Sequence, residues 1–346
     1  MSIFQMTGFD HNVYAHRYGI AGSIASPGRF GRGRYARFSN GNHYCNLNLQ
    51  PGEEYNSWVI GFACRETTSP YTNLAYSSAF IRLFGDTGAS NVDIYWTSGS
   101  GNYYVRARNG DGTVLQDSAP IALVQGVWRY YEFKVTIDDT LGAIEVRRDG
   151  VTIINVSGVD TRNNSNATND VHTIRFGQNA NNSYGSLDDV YVLKQDGVGE
   201  VDFLGEVEVE HLRPSGNGTY SQLVGSDADS VDNYLLVDDG TGVNDGDYVG
   251  SSVDGEKDTY VFDDLLRTNP IVIGMQYSYR VQKDDTDPKS IRSVIRTGGT
   301  DYTGADFALP SSYIWNQEMY ENNPNTGVPW TGSELNGAEA GTEVRP

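Results

Sequence analysis

The chain has 346 residues, 38% of them hydrophobic, with 23 Tyr, 12 Phe and 40 Gly, enough for two domains that each bury a core. Lys and Arg number 25 against 45 Asp and Glu, a formal charge of −20, which repels phosphate backbones and excludes non-specific nucleic-acid binding. No apolar run is long enough to cross a bilayer and no long stretch carries a helical stripe, so an all-β chain without membrane insertion is expected.

In chain order, the opening MSIFQMTGFDHNVYAHRYG lacks the charged, apolar and cleavage regions of a signal peptide, so secretory export is not expected. His11 and His16 are five apart without helical context, which does not suit a zinc pair. The segment SPGRFGRGRYARF then crowds Arg29, Arg32, Arg34 and Arg37 into an acidic chain. These four arginines are candidates for contact with an acidic neighbouring subunit. The competing reading is a Gly-rich edge strand guarded by charge. Cys45 and Cys64 form no disulfide framework or metal cluster and read as small buried hydrophobes.

Short apolar runs recur at Trp58–Cys64, Ala79–Phe84, Val92–Trp96, Tyr103–Arg108, Val171–Phe176 and Val190–Leu193. Runs apolar on both faces, such as Trp58, Val59, Ile60 and Phe62, suit central strands covered by a second sheet. Tyr95, Trp96, Tyr103 and Tyr104 flank the loop Thr97–Asn102 and form a candidate aromatic rim for glycan stacking, although most sandwich aromatics are core. The clearest strand follows Trp128, where Tyr131, Phe133, Val135 and Ile137 alternate with Glu132, Lys134, Thr136 and Asp138. Period two predicts one buried and one solvated face. Ile144 and Val146 continue the pattern, Asp149-Gly150 marks a hairpin turn, and Val151–Val156 returns. Residues 1–196 thus read as a β-sandwich, with a boundary near Gly197–Gly199.

Residues 200–346 read as a second, acidic, β-rich domain. Paired carboxylates are sought first in it, because sandwich glycosidases need two facing one bond. Glu206, Glu208 and Glu210 fall on one face of a presumed strand, with Val207 and Val209 turned inward. The sandwich glucanases carry Glu-x-Asp-x-x-Glu, and here the third acid comes one residue early. His43, His172 and His211 add no metal spacing, and neither a Gly-x-Ser-x-Gly elbow nor a phosphate-cradling loop is present. No catalytic constellation emerges. Between Ser226 and Asp264 there are twelve acids and one base, Lys257. Asp238, Asp239, Asp245 and Asp247 are the candidate ligands for a structural calcium, though the EF-hand order is not met and Asp/Gly turns explain the same letters. A strand is expected over Ile271, Ile273, Met275, Tyr277, Tyr279 and Val281, with Ser290–Arg296 returning beside it. Near the end, Thr331 and Glu334 have capping-box spacing for one short helix, with Gly341 as its stop.

Several of these segments resemble a known family. Gly8-Phe9-Asp10, Gly28-Arg29-Phe30-Gly31, Trp128-x-Tyr-Tyr-Glu, Asp149-Gly150 and Leu187-Asp188-Asp189-Val190-Tyr191-Val192 are similar to concanavalin A-like/laminin-G jelly-roll sandwiches found in phage structural proteins. Asp202-Phe203-Leu204-Gly205, Gly218-Thr219-Tyr220-Ser221 and the stretch from Asn323-Pro324 to Trp330-Thr331 resemble the C-terminal half of the same proteins. The resemblance implies a non-enzymatic component of a tailed-phage virion: a tail fibre, tail tip or other appendage, or a capsid decoration. Its expected partners are other virion proteins, further copies of the chain (a trimer favoured) and host-surface glycan, with assembly in the host cytoplasm. A lectin-like module for host polysaccharide is the alternative.

Overall fold

The computed structural model describes residues 3–9, 18–21, 23–31, 34–38, 41–65, 78–99, 102–122, 124, 126–180, 185–195, 202–239 and 243–346. Asp10, His11, His16, Arg32 and the expected boundary at Gly197–Gly199 lie outside the described residues. The chain divides into two compact units, one running to Val209 and the other from Glu210 to Pro346. Residues 202–209 therefore pack with the sandwich.

The first unit is a sandwich of two antiparallel sheets. One sheet holds β1 (Ile3–Thr7), β3 (Ser23–Ala25), β4 (Tyr35–Phe38), β6 (Ser57–Arg65), β11 (Trp128–Thr136), β12 (Gly142–Arg148), β13 (Val151–Val159) and β15 (Gly185–Lys194). Their order is β13-β12-β11-β6-β15-β4-β3, with β1 also on β15. The other holds β2 (Tyr18–Ala21), β5 (Gly41–Asn48), β7 (Ser78–Phe84), β8 (Ser90–Gly99), β9 (Asn102–Asn109), β10 (Val114–Asp117) and β14 (Thr173–Ala180). Its order is β10-β9-β8-β7-β14-β5-β2.

The inner faces meet through aromatic rings. Phe62 on β6 stacks on Phe133 at 5.2 Å and meets Phe176 of the opposite sheet edge-on at 5.6 Å. Trp96 on β8 meets Tyr131 on β11 edge-on at 6.0 Å. Edge-to-face pairs of this kind add to the burial that drives the layers together. Cys45 is buried among these side chains, and burial pushes its thiol well above the ordinary value. The Asp149-Gly150 turn joins β12 to β13, and both residues have positive φ, 51° and 77°. This is the backbone that a two-residue hairpin requires.

The alternation along β11 holds for its inner side chains and fails on the outer side at Tyr130 and Glu132. Glu132 is buried rather than solvated. Residues 202–205 cover it: the Gly205 amide donates to Glu132 Oε1 at 2.8 Å, and Tyr191 Oη donates to the same oxygen at 2.5 Å. Gly61 beneath the Tyr191 ring permits that approach, since a Cβ there would lie 2.1 Å from a ring carbon.

The second unit is built on a six-stranded sheet of β16 (Pro214–Ser221), β19 (Lys257–Phe262), β21 (Ser290–Thr297), β22 (Thr300–Thr303), β23 (Phe307–Ala308) and β25 (Glu339–Arg345). Two ribbons accompany it, β17 (Val224–Gly225) with β18 (Val249–Gly250), and β20 (Met275–Val281) with β24 (Ile314–Tyr320). The expected strand from Ile271 begins only at Met275, since Pro270 precedes it and Ile271 is 95% exposed. Nor does Ser290–Thr297 return beside it; it pairs with β25, β22 and β23.

The one α-helix of the described residues, α1 (Gly332–Asn336), has the expected capping box: the Glu334 amide donates to Thr331 Oγ1 and the Glu334 carboxylate accepts from the Thr331 amide. Its stop is Gly337, not Gly341. Gly341 lies inside β25, where a Cβ would meet the Asp258 carbonyl at 1.9 Å.

Candidate functional site

Side chains of the seven-stranded sheet alternate between the core and its outer side. Ile81, Leu83, Val92, Ile94, Trp96, Val105, Ala107, Ile174 and Phe176 point inward and are buried. The residues between them place Arg82, Asp93, Tyr95, Arg106, Arg108 and Arg175 on the outer side. Cross-strand register then assembles two rows. Arg108, Asp93, Arg82, Arg175 and Asn46 are successive partners across β9, β8, β7, β14 and β5. Asp117, Arg106 and Tyr95 are partners across β10, β9 and β8.

The electrostatics of this face are opposite to those of the chain. Asp93 and Asp117 are the only acids in these seven strands, against Arg82, Arg106, Arg108 and Arg175. Asp117 takes Arg106 in a two-pronged pair at 2.6 and 2.6 Å, and that pair raises the guanidinium's affinity for its proton. Asp93 serves two arginines, Arg108 Nη2 at 2.8 Å and Arg82 Nε at 3.4 Å. Arg175 lies between the rings of Tyr44, 4.3 Å away, and Phe84, 4.6 Å away, and donates from Nε to Asn46 Oδ1 at 2.7 Å. Desolvation lowers its proton affinity, with Arg82 beside it adding to the effect.

The four residues of the expected aromatic rim do not act together. Trp96 is core, and Tyr95 is buried on the outer side with Arg108 5.2 Å from its ring. Adjacent strand residues face opposite ways, so a run of two aromatics cannot share one rim. Tyr103 and Tyr104 are half-buried, and Tyr104 is the register partner of Thr97 on the outer side. The sequence signal for the arginine face was a single Arg set between apolar neighbours, as in Ile81-Arg82-Leu83 and Ile174-Arg175-Phe176.

Arg29 is not offered to a neighbour. Its guanidinium lies over the Tyr130 ring at 5.1 Å and donates to Asp189 Oδ2 at 3.1 Å, to the Val207 carbonyl at 3.1 Å and to Glu206. Its backbone amide donates to Asp188 Oδ2 at 2.8 Å. Asp189 also accepts the Val209 amide at 2.9 Å. Burial pushes the Asp189 carboxyl up to about 6, against the pull of that amide and of Arg29. Arg29, Asp189, Glu132 and Tyr191 thus hold residues 202–209 on the outer side of the eight-stranded sheet. Arg34 is half-buried and Arg37 exposed.

Glu206, Glu208 and Glu210 are not in a strand. Glu206 turns to Arg29, while Glu210 accepts the Leu266 amide at 2.8 Å. Three of the four candidate calcium ligands are engaged by other groups of the chain. Asp245 takes Arg280 in a two-pronged pair at 2.8 and 2.8 Å, which lowers its pKa. Asp239 accepts the Asn244 amide and Asp247 the Asn244 side chain. Burial raises the Asp239 pKa, and Asp247, Asp238 and Asp245 add to the rise. No His, Cys, Asp and Glu cluster suited to a metal occurs among the described residues.

No protein-family model matches the chain, and no curated protein matches it in sequence. Among solved structures, a legume lectin-like domain from Entamoeba histolytica is similar over 53% of this chain and 92% of its own, at 12% identity and TM-score 0.32. A carbohydrate-binding module from Bacillus subtilis is similar over 55% of this chain and 98% of its own, at 13% identity and TM-score 0.32. A conserved carbohydrate esterase from Shiga toxin-encoding bacteriophage phi24B is similar over 55% and 98%, at 11% identity and TM-score 0.36.

Proposed function

We propose that the chain is a non-enzymatic binding component of a phage virion surface, which contacts host polysaccharide through the outer side of its seven-stranded sheet. The observation that carries the glycan reading is the cross-strand row of Arg108, Asp93, Arg82, Arg175 and Asn46, flanked by Tyr44 and Phe84. Planar guanidinium, amide and aromatic groups on a rigid sheet suit recognition of a polar, partly apolar ring. Binding rather than turnover fits the divergence of Glu206 and Glu210, which leaves this triplet without a convergent pair of acids. The virion placement rests on the sequence resemblance, as do assembly in the host cytoplasm and association with other virion proteins. The test is a glycan array probed with the full chain, alongside mass spectrometry of purified particles. Retention of polysaccharide and presence in particles support the proposal; failure of the chain to retain any glycan would sink its binding half.

A second reading, a purely structural protein of an appendage or capsid surface, is favoured by the second unit. Ile271, Leu266 and Val328 are 95%, 66% and 56% exposed there, and exposed apolar side chains in number suit protein contacts. Light scattering distinguishes the two. A trimer or larger species supports assembly through copies of the chain, whereas a monomer at high concentration argues against it.

A further inference from the structure

We infer that the Arg82–Arg175 pair on the seven-stranded sheet takes the carboxylate of an acidic saccharide, a uronate or sialate rather than a neutral sugar. The inference rests on the glycan reading above and names its substrate class. Its starting point is unbalanced charge. Arg106 is matched by Asp117, but Arg82 and Arg108 share the single carboxylate of Asp93, and Arg175 is paired with neither acid. Arg82 and Arg175 are direct register partners on neighbouring strands, an arrangement of like charges that is unfavourable without an anion. Among the described residues no carboxylate lies within ion-pair reach of Arg175.

Three details make the pair a receptor rather than a solvated face. Arg175 is held in place by Tyr44, Phe84 and Asn46, which engage its ring-facing surfaces and Nε and leave its two terminal nitrogens without a described partner. That is the fork that binds a carboxylate with two parallel hydrogen bonds. Arg82 Nε is buried and, though 3.4 Å from Asp93, makes no hydrogen bond. Asp93, divided between Arg82 and Arg108, neutralises only one of them, and an anion arriving between Arg82 and Arg175 supplies the missing negative charge. Around them, Asn46, Asn48 and Thr173 offer amide and hydroxyl groups to sugar hydroxyls, with Thr173 Oγ1 already 3.3 Å from Asn48 Oδ1. The chain's charge of −20 repels nucleic acid and other polyanions at long range, so an anion held here is held by the local geometry of the two arginines.

The experiment is calorimetric titration of the full chain with polygalacturonate, with the same polymer carboxyl-reduced, and with dextran sulfate, repeated for Arg175→Gln. Polygalacturonate binding that falls at least tenfold on carboxyl reduction, and at least tenfold in Arg175→Gln, supports the inference. The control Arg129→Gln, which alters an exposed pair with Asp149, leaves that binding unchanged. Equal affinity for the reduced polymer overturns the acidic-sugar inference but keeps the glycan reading. Equal or tighter binding of dextran sulfate overturns it in favour of unspecific polyanion attraction. Binding of none of the three, with a glycan array also empty, overturns both. A melting temperature for Arg175→Gln within a few degrees of the parent assigns its loss of binding to the site; if the variant unfolds, Arg82→Gln is read in its place.

Discussion

Replacing Arg29 with Met tests the clamp that holds residues 202–209. The side chains of Arg29 and Asp189 are 7% and 5% exposed, whereas Glu206 is 58% exposed. The Asp189 pair therefore dominates, and the Glu206 pair adds little because water screens it. Removing one partner of a buried pair costs about 3–5 kcal/mol. For a unit of this size each kcal/mol moves the melting temperature by about 2–4 °C, so a fall of roughly 6–20 °C follows. The cost also depends on pH. The folded Asp189 carboxyl sits at about 6, above its unfolded value of about 3.9. Its contribution is thus fully present below about pH 4 and lost as pH rises through 6. Without Arg29 the folded value rises further, so the deficit of the variant is larger at pH 8 than at pH 5. Differential scanning calorimetry of both proteins at the two pH values measures this. A deficit equal at both, or no deficit, would refute the reasoning.

Other perturbations follow from the same contacts. Tyr191→Phe removes the hydroxyl shared by Glu132 and the Leu204 amide and should cost about 1–3 kcal/mol in urea titration. Gly61→Ala drives a methyl into the Tyr191 ring and should cost about 1–3 kcal/mol by overpacking; an unchanged midpoint would show that the ring can move aside. Thr331→Ala removes the cap of α1 and should cost about 0.5–2 kcal/mol. Because Asp245 is committed to Arg280, adding a chelator should leave the melting temperature unchanged, and a large fall would support a bound calcium instead.

What the sequence revealed was governed by local rules. The Asp149-Gly150 turn, the inner side of β11 and the Thr331–Glu334 box each depend on residues within a few positions, and each appears in the structure. Errors arose where distant chain supplied the environment. Glu132 has the alternation of a solvated residue, and only the return of residues 202–205 buries it. Arg29 reads as one of four similar arginines, yet it meets Asp188 and Asp189, some 160 positions away. Glu206, Glu208 and Glu210 have the spacing of a strand face, but tertiary hydrogen bonds to Arg29 and to the Leu266 amide hold the segment out of any sheet. The arginine face was the hardest to see. Its row comes from five strands scattered between residues 46 and 175, and no spacing rule joins them before the strand order is known.

Hydrogen exchange of the full chain, with and without a polysaccharide retained on the array, tests the central claim most directly. The account predicts slowed exchange in Ser78–Phe84, Ser90–Gly99 and Thr173–Ala180, and little change in residues 210–346. Protection confined to residues 210–346, or to the outer side of the eight-stranded sheet, would contradict it.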